Sequence, residues 1–179
     1  MKCCLLLMIC FAAKTLQSQD LSFEEYNPKP TLVVPGKIIS KAKFPFIDIH
    51  GHQYNMPAQD LAPVVAAMDT LNMQIMVNLS GRTGDDLVKS VANIKKNFPG
   101  RFVVFCNINF EGAGKPGWIE EKVAQLEQDV QHGAVGLKVY KSLGLSNKDA
   151  DGKRLAIDDP RLDPIWAKCG QLKIPVLIH

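Results

Sequence analysis

The sequence predicts a mixed α/β fold in which strands and helices alternate. Three observations predict it. From Phe46 onward, short apolar runs rich in Val and Ile alternate with segments whose apolar residues recur at helical spacing. The alternation repeats roughly every 30 residues, the length of a strand–helix–strand unit. The runs are continuously apolar, as in strands buried on both faces of a parallel sheet.

Taken in order, "FPFIDIH" reads as the first strand. "PAQDLAPVVAAMDTLN" follows as a helix whose apolar stripe is Leu61, Val64, Val65, Met68 and Leu71. "MQIMVNLS" is the second strand, and "DDLVKSVANIKKNF" a helix with Leu87, Val88, Val91 and Ile94 on one side. "RFVVFCNINF" is the third strand, and "PGWIEEKVAQLEQDVQHG" a helix ended by Gly133. "AVGLKVY", the helix "PRLDPIWAKCGQLK" and the strand "IPVLIH" complete the series, giving five strands and four helices. Such a repeat fits either a doubly wound open sheet or a (β/α)8 barrel. A dinucleotide-binding sheet carries a Gly-rich turn after its first strand. Here "HGHQYN" stands in that place and offers ligands instead, so the prediction is part of a barrel.

Ahead of the repeat lie two segments of other character. Lys2, the apolar run from Cys3 to Ala13 and the polar break near Ser18 have the layout of a secretory signal peptide over residues 1–18. The run is shorter than the roughly 20 residues a membrane span needs, so the mature chain is expected to carry no transmembrane span. Export to the periplasm or the extracellular space follows. A lipoprotein anchor on Cys10 is the alternative, set back by the bulky Ile9 before it. A buried N-terminal helix is the plain structural one. Residues 19–45 carry four prolines and little periodicity, and read as an N-terminal extension packed on the main domain. Within it, "TLVVPGKII" predicts a short hairpin around Pro35-Gly36. Residues 46–179 form the barrel portion.

Composition narrows the partners. The chain is 46% hydrophobic with a net charge of +3 and interspersed signs, as in an ordinary globular protein. No basic stripe or aromatic platform points to nucleic acid. With the leader removed, Cys106 and Cys169 remain, too few for a disulfide framework. The oligomeric state is not legible in these residues.

The candidates for chemistry are His50 and His52, which taken alone read more readily as two polar residues at the end of an ordinary strand. In a strand, residues i and i+2 point to the same side, with their Cα atoms about 6.5 Å apart. Two imidazoles so placed can converge on one ion. They stand at the carboxyl end of the first strand, the face on which barrel active sites are built. His179 ends the fifth strand, and Lys138 lies within the fourth.

"DIHGH", "GLKVY" and "IPVLIH" resemble the amidohydrolase superfamily, in particular the amidohydrolase-related (type 2) metal-dependent hydrolases. The resemblance covers Phe46 to His179. It implies a distorted TIM barrel in which His50, His52 and His179 ligate a divalent metal. It also implies that Lys138 matches the strand-four lysine that binuclear members carbamylate to bridge two ions. The family pattern continues with a strand-six histidine and a strand-eight catalytic aspartate. Neither lies within these five strands, so the chain is expected to be the N-terminal portion of a longer protein, inactive alone.

The resemblance implies hydrolysis of an amide, lactone or other ester of a small-molecule substrate, with zinc, one ion or two, as the expected cofactor. A bound divalent ion lowers the pKa of its water from about 16 to near 7, and the hydroxide attacks a polarised carbonyl. The alternative within the resemblance is non-oxidative decarboxylation of a small carboxylic acid. From another class comes a secreted structural or metal-binding barrel without turnover.

Other polar residues have paired readings. Tyr54, Arg82 and Asn109 are the candidates for holding substrate, Arg82 through an anionic group; each also reads as an ordinary loop or strand-end residue. Asn107 shares the reading of Asn109. Asp48 either orients a ligand histidine or is a satisfied structural carboxylate. His132, before Gly133, suits the end of a helix, and Lys141 reads as exposed.

Overall fold

The computed structural model describes residues 22–33 and 35–179. The expected signal peptide and the Cys10 anchor position lie outside the described residues. The chain divides into two units, Met1–Ile38 and Ile39–His179. The described part of the first holds one turn, over residues 23–25, and no strand. The hairpin expected around Pro35-Gly36 includes residue 34, which lies outside the described residues. Leu32, Val33, Ile38 and Ile39 are exposed, and a lone two-stranded hairpin that buries no apolar face is at best marginally stable.

The second unit holds β1 (Phe46–Gly51), α1 (Ala62–Leu71), β2 (Met73–Asn78), α2 (Gly84–Asn97), β3 (Phe102–Asn107), α3 (Trp118–Gln131), β4 (Gly136–Val139), α4 (Ser142–Leu145), α5 (Asp163–Leu172) and β5 (Val176–Ile178). A 3-10 turn, Pro160–Leu162, leads into α5. The fold is mixed α/β. All five strands are parallel, in the order β1-β2-β3-β4-β5, and form a curled half-barrel sheet. The five strands and four main helices follow the order read from the sequence. The extra helix, α4, is one kinked turn, with Gly144 at φ 86° inside it.

Helix starts are set by local chemistry. α1 begins at Ala62, later than its apolar stripe implied, because Pro63 fits only the first turn. The Asp60 carboxylate accepts from the Ala62 N–H at 2.9 Å, just ahead of it. α2 has Asp85 and Asp86 in its first turn and Lys95 and Lys96 in its last, both matched to the helix dipole. Buried Asp129 of α3 accepts from the Thr83 hydroxyl and the Gly84 N–H, tying the α2 start to its neighbour.

The main core lies between sheet and helices and includes Leu87, Val91, Val104, Cys106, Leu126, Leu137 and Ile165. Cys106 and Cys169 are both free and buried. A smaller cluster of Val77, Leu79 and Phe105, with Val103 and Leu177 beside it, stands apart. Register puts Val77 opposite Val103 and Lys138 opposite Leu177, so this cluster occupies the sheet's other face. No helix among the described residues is long and apolar enough to cross a membrane.

β1 and β5 each pair on one side only. Their outer apolar side chains are open: Ile49 is 65% exposed and Ile178 is 52% exposed. Unpaired apolar edges promote association. Changing Ile49 and Ile178 to Lys should lower light scattering of concentrated chain, while stability moves by less than about 0.5 kcal/mol. Unchanged scattering would clear the edges of that role.

Candidate metal centre

The inner face of the curled sheet carries the polar residues. Asn107 pairs with Lys138, and Lys138 with Leu177, so all three side chains share this face. Tyr140 and His179, two residues beyond Lys138 and Leu177, continue it. Gly51, between the two histidines, faces the other way. A Cβ there would stand 2.8 Å from the Met76 side chain, which would have to shift to admit any larger residue.

The three predicted ligands come together. The His50 and His52 ring centroids are 5.4 Å apart, and those of His50 and His179 are 5.7 Å apart. The second distance joins the two outermost strands. Four strand spacings in a flat sheet would put β1 and β5 about 19 Å apart; curling and the inward reach of the side chains close that gap. Among the described residues, no three His, Cys, Asp or Glu residues form a ready-made metal cage. Imidazoles bound to one tetrahedral ion at about 2 Å put their centroids roughly 5 Å apart, so these rings need only small movements to close on it. The donor set, three imidazoles at strand ends, suits zinc.

His52 is held most firmly. Its Nδ1 lies 2.7 Å from Ser80 Oγ, which is 2.9 Å from the Tyr140 hydroxyl. The Tyr140 hydroxyl donates to the Leu79 carbonyl at 3.0 Å. Tyr54 stacks on the His52 ring at 5.4 Å. Burial lowers the His52 pKa, and the charges of His50, Lys138 and His179 lower it further. These influences favour the neutral imidazole that a metal requires.

Lys138 is fully buried, and its Nζ has no hydrogen-bond partner. Burial lowers its pKa. Its Nζ stands 5.9 Å from the centre of the Tyr140 ring. An orphaned buried amine whose charge acts on the His52 ring is chemically suited to a further ligand group.

The predicted substrate residues separate. Arg82 and Asn109 line a cleft of about 280 Å³ with Asn107 and Tyr140. Tyr54 is exposed and faces His52 instead. The Arg82 backbone is left-handed at φ 61°. Asn107 holds it there, accepting from the Arg82 N–H at 2.8 Å and donating its own N–H to the Arg82 carbonyl at 2.8 Å. The guanidinium donates to Asp86 at 2.9 Å and to the Tyr54 carbonyl at 3.2 Å. Asn109 Oδ1 accepts from the Glu111 N–H at 3.0 Å.

The Asp48 carboxylate accepts from the His50 backbone N–H at 2.9 Å rather than from an imidazole. His132 is the C-terminal cap of α3, and Lys141 is exposed. Three residues at the site escaped the sequence reading. Ser80 and Tyr140 hold His52. Asn78, fully buried, accepts from the Gln53 and Ser80 N–H groups and pins the loop after β1. The available signal was polar alternation, Asn78 then Ser80, at the carboxyl end of an apolar strand.

No protein-family model matches the chain, and no curated protein matches it.

Proposed function

We propose that the chain is the N-terminal portion of an exported, metal-dependent hydrolase of the amidohydrolase type, acting on an amide, lactone or other ester bond. The observation that carries the reading is the meeting of His50, His52 and His179 from β1 and β5, with centroids 5.4 and 5.7 Å apart. The exposed apolar edges of β1 and β5 support further strands closing a (β/α)8 barrel.

His50, His52 and His179 would hold the first divalent ion, and Lys138, once carboxylated, would help to hold a second. When bound, such an ion supplies Lewis acidity and a water of lowered pKa. The chain's own residues orient the rest. Ser80 fixes the His52 ring, and Tyr140 lines the adjoining cleft, where Arg82 with Asn109 offers hydrogen-bond donors. By the resemblance, the proton moves through an aspartate on an eighth strand.

Non-oxidative decarboxylation of a small carboxylic acid is the second reading. It is favoured by the cleft, whose lining contains the cation Arg82 and three asparagines and no carboxylate. Incubating the full-length protein with zinc and panels of lactones, esters, amides and small carboxylic acids separates the two. Zinc-dependent hydrolysis is the expected result. Carbon dioxide release without hydrolysis would replace this reading with the second, and bound zinc with neither product would leave a barrel without turnover.

A further inference from the structure

We infer that Ser80 and Tyr140 form a proton-ordered relay that holds neutral His52 as its Nδ1–H tautomer and presents the Nε2 lone pair to the site. The inference rests on the reading of His52 as a ligand. It concerns two positioning residues that act through His52.

Three contacts run in series: His52 Nδ1 to Ser80 Oγ at 2.7 Å, Ser80 Oγ to the Tyr140 hydroxyl at 2.9 Å, and the Tyr140 hydroxyl to the Leu79 carbonyl at 3.0 Å. A carbonyl oxygen only accepts. Tyr140 therefore spends its one proton on Leu79, and its oxygen must accept from Ser80. Ser80 has then spent its proton, so its oxygen accepts from His52. Each of the three contacts holds one proton, and the series starts at Nδ1–H. In the opposite order, Ser80 donates to Nδ1 and Tyr140 donates to Ser80. The Tyr140 and Leu79 oxygens would then face each other at 3.0 Å with no proton between them. That arrangement opposes two acceptors in a partly buried place, where electrostatics are strong. The observed spacing selects the first order.

The relay joins the carboxyl ends of β2 and β4 to the histidine after β1. A hydrogen bond on one ring nitrogen decides which nitrogen carries the metal. Here the pre-set donor is a hydroxyl chain that ends on backbone, and Ser80 itself is buried. Removing the Tyr140 hydroxyl leaves the Leu79 carbonyl still bonded to Asn107 Nδ2 at 3.0 Å, so Tyr140→Phe should release the order without orphaning the backbone.

Nitrogen-15 NMR of the metal-free full chain, at about pH 8.5 where unperturbed imidazole is neutral, reads the tautomer directly. We expect His52 protonated on Nδ1 in the unaltered chain, with the Nε2–H form rising in Tyr140→Phe and Ser80→Ala, and Nδ1–H restored in Ser80→Thr. Zinc affinity should fall about 10- to 100-fold in Tyr140→Phe and Ser80→Ala. A His52 protonated on Nε2 in the unaltered chain would overturn the relay. So would a tautomer indifferent to both the Tyr140 and Ser80 variants. An intact Nδ1–H signature in a chain that binds no zinc supports the relay while removing the metal reading.

Discussion

The double variant His50→Ala/His52→Ala is expected to lose its metal. Full-length protein loaded with zinc should hold about one ion per chain at the imidazole site, and the variant should lose affinity by more than about 100-fold, the top of the range for partners that merely orient a ligand. The reason is geometric: His50 meets both other rings, at 5.4 and 5.7 Å, so removing it and His52 leaves His179 alone. Unfolding is not the cause in this prediction. His50 is exposed and His52 only half-buried, and substitutions at such sites cost little stability. His132→Ala is the matched control, since His132 stands at the end of α3. Elemental analysis after dialysis, with circular dichroism for fold, reads the result. Stoichiometric zinc retained by the folded double variant would remove the site.

Local signals made the histidine cluster legible. His50 and His52 lie two apart at the end of an apolar run, and strand geometry alone puts them on one side. His179 was legible from its place after the fifth apolar strand. The relay through Ser80 and Tyr140 was not. It joins residues 60 apart in the chain, and only the packing of β2 against β4 across β3 brings them together. The apolar residues ahead of the repeat show a second limit. Leu32, Val33, Ile38 and Ile39 have strand-forming chemistry, but strand pairing needs a buried face, and those side chains are exposed. The start of α1 was misplaced for a third reason. The apolar stripe continues back through Leu61, but Pro63 and the Asp60 turn decide where hydrogen bonding begins.

Lys138→Met is expected to stabilise the metal-free chain. The Lys138 Nζ is buried with no partner, and leaving such a group unsatisfied costs about 1–3 kcal/mol. Methionine fills a similar unbranched volume without the amine, so a gain of that order should appear at neutral pH. The gain should depend on pH in a defined direction. Burial lowers the folded-state pKa of Lys138 below its ordinary value of 10.5, so the unfolded chain binds more protons. Stability of the unaltered chain then rises with pH. The penalty is fully present below the folded-state pKa and fades as pH climbs from there towards 10.5. The methionine variant lacks this slope, so the gap between the two chains narrows as pH rises through the window. Denaturant unfolding at several pH values measures it. A variant less stable than the unaltered chain at neutral pH would mean that the amine has a partner in solution. In the two-ion version of the proposed function, the neutral amine adds to carbon dioxide, forming a nitrogen–carbon bond and releasing a proton, and the resulting carbamate anion is a ligand that methionine cannot supply. Zinc with bicarbonate should therefore reverse the order of stability in the full-length protein, because ligands that bind only the folded state stabilise it. If the methionine variant stays the more stable and an unmodified amine persists in the zinc-loaded protein, the second ion is removed and the three-histidine site remains.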